Sequence, residues 1–196
     1  MSVKRQLFGG AITAELPTSL VDASTVRQVP DTQEVFFSPT SDVSYIVEIL
    51  QRVGPDDPQD AAKLSISPQA RRGFALIIHR FHFDSLAHDN DAQASEVLSV
   101  VVPDETSPSA TGTPSPILLD GSQRVAKFNR VTPDDIRILL AIYRFKSKGI
   151  DLVLSANLPV AKETGGGLNE ADFNVAKEAF LTAAQTLKII DFGLFA

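Results

Sequence analysis

Three groups of residues in this chain have types and spacings that could do chemistry. The first is acidic. Asp22, Asp31 and Glu34 stand in "LFGGAITAELPTSLVDASTVRQVPDTQEVF", a stretch otherwise sparse in charge, beside Pro30 and next to the apolar Val35, Phe36 and Phe37. Two such carboxylates could serve as general acid and base, but that work needs a cleft and a shifted pKa. On composition alone the plainer reading is a solvated acidic turn. The second group is the H-x-x-H pair His79 and His82. On a helix this spacing could begin a metal site, whereas on a strand it sends the two rings to opposite faces. No Glu lies between them and His88 stands alone, so ordinary structural histidines are expected and no metal. The third group is glycine: Gly9-Gly10 and Gly165-Gly166-Gly167. Neither continues into the spacing of a phosphate loop or a dinucleotide fingerprint, which leaves backbone freedom at a strand start and a loose loop. No G-x-S-x-G elbow and no Ser/His/Asp constellation is visible. The chain is therefore expected to have no catalytic residue and no cofactor.

Bulk composition narrows the partners. Acids outnumber bases by 24 to 18, a net charge of −6, and a negative field repels phosphate backbones. Lys4-Arg5, Arg71-Arg72 and Lys146-Lys148 are small and separated, so no basic patch offsets that field and nucleic acid is not expected. A basic protein partner suits the charge better. The absence of cysteine excludes disulfides, thiol catalysis and thiolate zinc sites, and suits a reducing compartment. "MSVKRQLFGGAITAEL" carries no long apolar h-region and no transit-peptide character, and no run of about 18 apolar residues is present. These features read as a soluble protein, without membrane insertion, of the nucleus and cytoplasm.

The elements that must position these residues follow from periodicity. At 196 residues and 43% hydrophobic, the chain can own a real core, and we expect one domain spanning residues 1–196. Loops are expected at Gly54 to Ala61, Pro103 to Pro116 and Lys162 to Glu170. Short strands are expected at Ile12 to Leu16 and Glu34 to Ser38, with further strands at Gly73 to Asp84 and Val97 to Val102. "ILLDGSQRVAKF" reads as a hairpin turning at Asp120-Gly121. "IRILLAIYRFKSKGIDLVLSANLP" reads as a longer hairpin turning near Lys148-Gly149, apolar on both faces and so central in a covered sheet. The preceding "TPDD" resembles a helix start, but the β-branched run behind it argues for strand. Two helices are expected. Ser41 to Val53 places Val43, Ile46, Val47 and Leu50 on one stripe, and Asn169 to Lys188 places Phe173, Ala176, Phe180, Ala184 and Leu187 on another. The sum is an α+β fold: a central, mostly antiparallel sheet flanked by helices, an α/β/α sandwich.

The acidic stretch also carries a resemblance. "LFGGAITAELP", then "DAS", then "R-x-VPD-x-QEVF" closely resemble the opening of the Ran guanine-nucleotide release factors, the Mog family. "SDVSYIVEIL" resembles the family's first helix and "HFDSLAHDN" one of its central strands. "VAKF", the long apolar hairpin and the terminal "LFA" also fit. "SISPQARRGFALII" and the Pro/Ser/Thr loop after Val102 depart from the pattern. The resemblance covers most of the chain and is most specific in its N-terminal part.

The resemblance implies a Mog/PsbP-like fold, shared with the extrinsic photosystem protein PsbP. It implies a protein that binds the small GTPase Ran, promotes release of its guanine nucleotide and supports nuclear protein import by binding rather than by catalysis. A monomer is expected. Residue by residue, the family's functional acids fall on Asp22 in "DAS" and on Asp31 and Glu34 in "PDTQE", making these three the expected Ran-binding residues. Two readings compete. One is a PsbP-like structural or adaptor subunit that binds another protein. The other is a hydrolase using Asp31 and Glu34, which lacks a nucleophile or metal set.

Overall fold

Alternation of apolar and polar residues governs most of the chain, and strands dominate accordingly. The computed structural model describes residues 1–53, 80–103, 112–126, 132–162 and 166–195. Its strands are β1 (Ser2–Leu7), β2 (Ile12–Pro17), β3 (Val21–Asp22), β4 (Gln33–Phe37), β5 (Ser44–Gln51), β6 (Ala92–Val101), β7 (Ile117–Val125), β8 (Asp134–Phe145), β9 (Ile150–Ala161) and β10 (Lys188–Ile189). Residues 80–89 are helical (α1), and a second helix spans Glu170–Thr186 (α2). Seven strands form one sheet in the order β3-β4-β5-β9-β8-β7-β6, and β1-β2-β10 form a second, smaller one. Every pairing among the described strands is antiparallel. The result is an α+β fold.

β8 and β9 hold the centre of the large sheet because they are apolar on both faces. They are joined through Lys146–Lys148 and Gly149, whose φ of 65° is the left-handed conformation this turn requires. On one face Leu139, Ala141, Tyr143, Leu152, Leu154 and Ala156 meet the small sheet and the stripe of α2 formed by Phe180, Ala183, Ala184 and Leu187. Two buried tyrosines tie α2 down by its backbone: Tyr45 Oη donates to the Ala176 carbonyl at 3.2 Å, and Tyr143 Oη to the Ala184 carbonyl. A polar clasp acts beside them. The Asp120 carboxylate accepts from Arg137 of β8 and from Lys177 Nζ of α2, and the Arg137 guanidinium lies 4.7 Å from the Phe173 ring centroid. On the other face Ile138, Leu140, Ile142 and Val153 pack with Phe83 of α1.

Three expectations are corrected by this arrangement. The segment read as a helix at Ser41 to Val53, including "SDVSYIVEIL", is strand β5. Val43, Tyr45 and Val47 are buried and Ile49 packs on the same core, a period of two that wins because β4 and β9 supply hydrogen-bonding partners on both sides. The apparent stripe at 43, 46, 47 and 50 mixes residues of both faces. The strand expected at Gly73 to Asp84 is helical over residues 80–84, and "HFDSLAHDN" is helical through residue 89 rather than a central strand; residues 73–79 lie outside the described residues. Its alternating Phe81 and Phe83 do not share a face: Phe83 is buried and Phe81 is exposed. Thirdly, Asp120-Gly121 is not a turn, because β7 runs straight through it. A Cβ at Gly121 would lie 2.6 Å from the Phe83 ring and 2.9 Å from the Glu96 carbonyl oxygen, so this glycine permits close packing of α1 on the sheet. The described end of the expected loop Pro103 to Pro116, residues 112–116, carries no helix or strand, as expected, and is anchored. Thr113 is buried and its Oγ1 accepts from the Ile189 amide at 2.9 Å.

The other elements stand close to expectation. β2, β4, β6 and the β8–β9 hairpin fall within a few residues of the expected positions, and "TPDD" leads into a strand. α2 begins close to its expected start and is capped by Asn169, whose Oδ1 accepts from the Asp172 amide at 2.9 Å. The expected loop Gly54 to Ala61 and the divergent Ser65 to Ile78 lie outside the described residues.

Candidate functional site

The acidic residues gather at the edge of the large sheet where β3 pairs with β4. β3 is only two residues long because Pro17 and the turn after it deliver the chain to the edge and Asp22 then ends the strand. Asp22 caps the 3-10 turn Ala23–Thr25: its Oδ1 accepts from the Ser24 amide at 2.8 Å, and its carbonyl accepts from Thr25 Oγ1 at 2.6 Å. Ala23 is buried beneath the turn. The chain returns through Pro30, whose carbonyl accepts from the Gln33 amide at 2.9 Å, and this turn carries Asp31. The Thr32 carbonyl accepts from the Ile49 amide at 2.9 Å, which fixes the turn to β5. Asp31 is exposed, and among the described residues no hydrogen bond or ion pair engages its carboxylate.

Glu34 behaves differently. It is half-buried on β4, and its Oε1 accepts from the Phe8 amide in the turn that joins β1 to β2. That turn is unusual. Phe8, Gly9 and Gly10 have φ of 49°, 65° and 97°, three successive left-handed residues of which the first is not glycine. In the β3–β4 register Asp22 lies opposite Phe36, so Asp22, Phe36 and Glu34 share one sheet face. Burial pushes the Glu34 carboxyl up from its ordinary value; the Phe8 N–H pulls it back in part, and the nearby Asp22 charge raises it further. The structure thus brings Asp22 and Glu34 together and places Asp31 on the exposed turn that leads into β4.

A cation completes the neighbourhood. The Arg5 guanidinium lies 5.3 Å from the centroid of Phe36, and one of its terminal nitrogens donates to the Leu20 carbonyl at 2.6 Å. Sequence reasoning did not single out Arg5 or Phe8. The Gly9-Gly10 pair did signal backbone freedom at a strand start, but a link between residue 8 and residue 34 leaves no mark in either local pattern.

The histidines stay outside this site. His82 of α1 is buried, and its Nε2 lies 3.1 Å from Oδ2 of the fully buried Asp151 on β9. Arg144 Nε donates to the other carboxylate oxygen at 3.0 Å, and the Val53 amide donates to Oδ2 at 3.3 Å. Burial pushes the Asp151 carboxyl up, but hydrogen bonds from His82 and Arg144, the Arg144 charge and the Val53 amide outweigh it and hold it below the ordinary value. This cluster joins α1, β8, β9 and the end of β5. His79 lies outside the described residues, and among the described residues no group of three His, Asp or Glu side chains could hold a metal ion.

Comparison with known proteins bears on the family and the fold. A sequence profile of the Ran-interacting Mog1 proteins matches residues 5–159, a span that contains all three acids. A Danio rerio protein named Ran guanine nucleotide release factor is 28% identical over 201 residues, covering 98% of this chain and all of the relative. The Homo sapiens protein of the same name is 32% identical over 154 residues, covering 78% of this chain and 74% of the relative. The crystal structure of the Saccharomyces cerevisiae Ran-binding protein Mog1p superposes with a TM-score of 0.71 at 24% identity, covering 100% of this chain and 99% of that one. The solution structure of cyanobacterial PsbP from Synechocystis sp. PCC 6803 shares the fold more loosely, with a TM-score of 0.57 at 13% identity over 96% of this chain and 92% of that one. With the family profile matching residues 5–159, more than half of its length, the chain belongs to the Ran-interacting Mog1 protein family.

Proposed function

We propose that this chain binds the GTPase Ran, promotes release of its guanine nucleotide and supports nuclear protein import, acting by binding and not by catalysis. The observation that carries the reading is the family match over residues 5–159. Relatives matched along nearly the whole chain support it: one from Danio rerio is named a Ran guanine nucleotide release factor, and one from Schizosaccharomyces pombe a nuclear import protein. Asp22, Asp31 and Glu34 are the residues assigned to Ran. They cluster on one edge of a chain of net charge −6, a field that steers a basic partner and fixes its register. We further propose that residues 1–196 form one domain, that the protein acts as a monomer in nucleus and cytoplasm, and that nucleic acid is not a partner.

A release factor need make and break no covalent bond. It must bind nucleotide-free or open Ran more tightly than loaded Ran, and by linkage the nucleotide's affinity then falls by the same factor. Carboxylates suit that task, since they compete with phosphates for cationic groups. The test is a pulldown with Ran in GDP-, GTP- and nucleotide-free forms, followed by a nucleotide-release assay. Preferential capture of nucleotide-free Ran with faster release is expected; equal binding to all three forms with unchanged release sinks the proposal.

A further inference from the structure

The three acids do not present themselves alike. Asp31 points its carboxylate outward from an exposed turn, whereas Glu34 is half-buried with one carboxylate oxygen turned inward to the Phe8 amide. The object it holds is strained. Phe8 sits at φ 49°, a conformation that is unfavourable for a non-glycine residue and persists only where its surroundings impose it. Gly9 follows at φ 65°, is exposed, and has no atom within 4 Å of the position a Cβ would take. The backbone at the tip of the turn is therefore bare and open to approach by another chain. Phe8 anchors the turn from below by packing against the core.

We infer that Glu34 is a positioning residue: its carboxylate fixes the left-handed Phe8–Gly9–Gly10 turn, and this turn meets the partner alongside Asp22 and Asp31. The inference rests on the proposed reading of Ran as that partner. It reassigns one of the three acids from a charge that touches Ran to a brace for a backbone surface that does. Burial and the Asp22 charge disfavour ionised Glu34, which fits a group engaged within the fold rather than one displayed to a partner. The same brace accounts for the sequence distance involved, since 26 residues separate the donor from the acceptor.

Titration of nucleotide-free Ran against the full chain tests this, with the Phe8 amide proton resonance read in parallel. Glu34→Gln keeps an acceptor oxygen but no charge, so it should retain the Phe8 resonance and bind Ran within about threefold of the parent. Glu34→Ala removes the acceptor, and should shift that resonance and weaken binding by about tenfold or more. Gly9→Ala leaves every charge in place and strains only the turn, and it should also weaken binding by about tenfold. Loss of binding in Glu34→Gln as severe as in Glu34→Ala, with the Phe8 resonance in place, would mean that the charge itself touches Ran and would overturn the inference. So would a Gly9→Ala variant that binds like the parent. A parent chain that fails to bind Ran overturns the proposed function, whereas the variant outcomes above overturn the inference while the parent still binds, so the two failures are distinguishable.

Discussion

Charge reversal at Asp31 and at Glu34 should produce opposite phenotypes, although the two residues are three positions apart. Asp31→Lys alters an exposed side chain that no described residue holds. Such changes shift stability by about 0.5 kcal/mol or less, about 1–2 °C in Tm for a chain of this length. If Asp31 pairs with a cation of Ran in a desolvated interface, reversal costs about 2–5 kcal/mol of binding, roughly 30- to 5,000-fold in Kd. Glu34→Lys instead withdraws the acceptor from the Phe8 amide and places an ammonium in a half-buried position. Loss of a charged hydrogen bond costs about 1.5–3 kcal/mol, about 3–12 °C in Tm. The fold is therefore expected to ignore the charge at Asp31 and to depend on the acceptor that Glu34 offers to Phe8. Thermal melts and Ran titrations of the two single variants decide the matter. An Asp31→Lys variant that folds and binds like the parent would refute the placement of Asp31 at the interface. A Glu34→Lys variant that melts like the parent would refute the bracing of the turn.

Three further outcomes are expected. Asp151→Asn should lower Tm by about 6–20 °C, because breaking a buried pair costs about 3–5 kcal/mol and leaves Arg144 and His82 without their anion. Asp151 titrates below its ordinary 3.8 in the fold, so its contribution is full above that value and fades as pH falls through the lower folded value; the gap between parent and variant in acid melts should close there. Phe180→Ala empties a site between α2 and Tyr45, whose ring centroid is 6.4 Å away, and should destabilise by about 3–5 kcal/mol in a denaturant titration while leaving Ran affinity intact. Thr113→Val removes the acceptor of the buried Ile189 amide and should cost about 1–3 kcal/mol by the same titration, so an unchanged midpoint would show that this loop end does not hold β10.

What the sequence disclosed divides along a physical line. Features set by neighbours in the chain were legible: the start of α2 near Asn169, the two-sided apolarity of β8 and β9, and the glycine at their turn. Features set by contacts from afar were not. β5 carries apolar residues that satisfy both a helical and a strand period, and only the pairing with β4 and β9 selects the strand. Gly121 looked like turn chemistry, but its reason is the Phe83 ring 38 positions earlier in the chain. The candidate site follows the same rule. The three acids stood out through their family resemblance, whereas the Phe8 amide that engages Glu34 arrives from a different sheet.

The position of the site in the sheet bears on how release would work. Asp31 stands on a turn whose two ends are fixed, by the Pro30 carbonyl to Gln33 on one side and by the Thr32 carbonyl to Ile49 on the other. Asp22 is held by its own cap, and Glu34 by Phe8. Behind them β4 pairs along its full length with β5, which pairs in turn with the central β9. A surface anchored this way is preorganised, and preorganised interfaces move their backbone by about 1 Å or less on binding. A ligand shifts an equilibrium only by its differential affinity for the two states. If this side of the complex is stiff, the differential must reside in Ran: the acidic edge offers one fixed shape and charge pattern, and the conformer of Ran that matches it is the one that holds nucleotide poorly. On the proposed reading, stiffness at the β3–β4 edge is a functional requirement, because an edge that adapted equally well to loaded and empty Ran would bind both and release nothing.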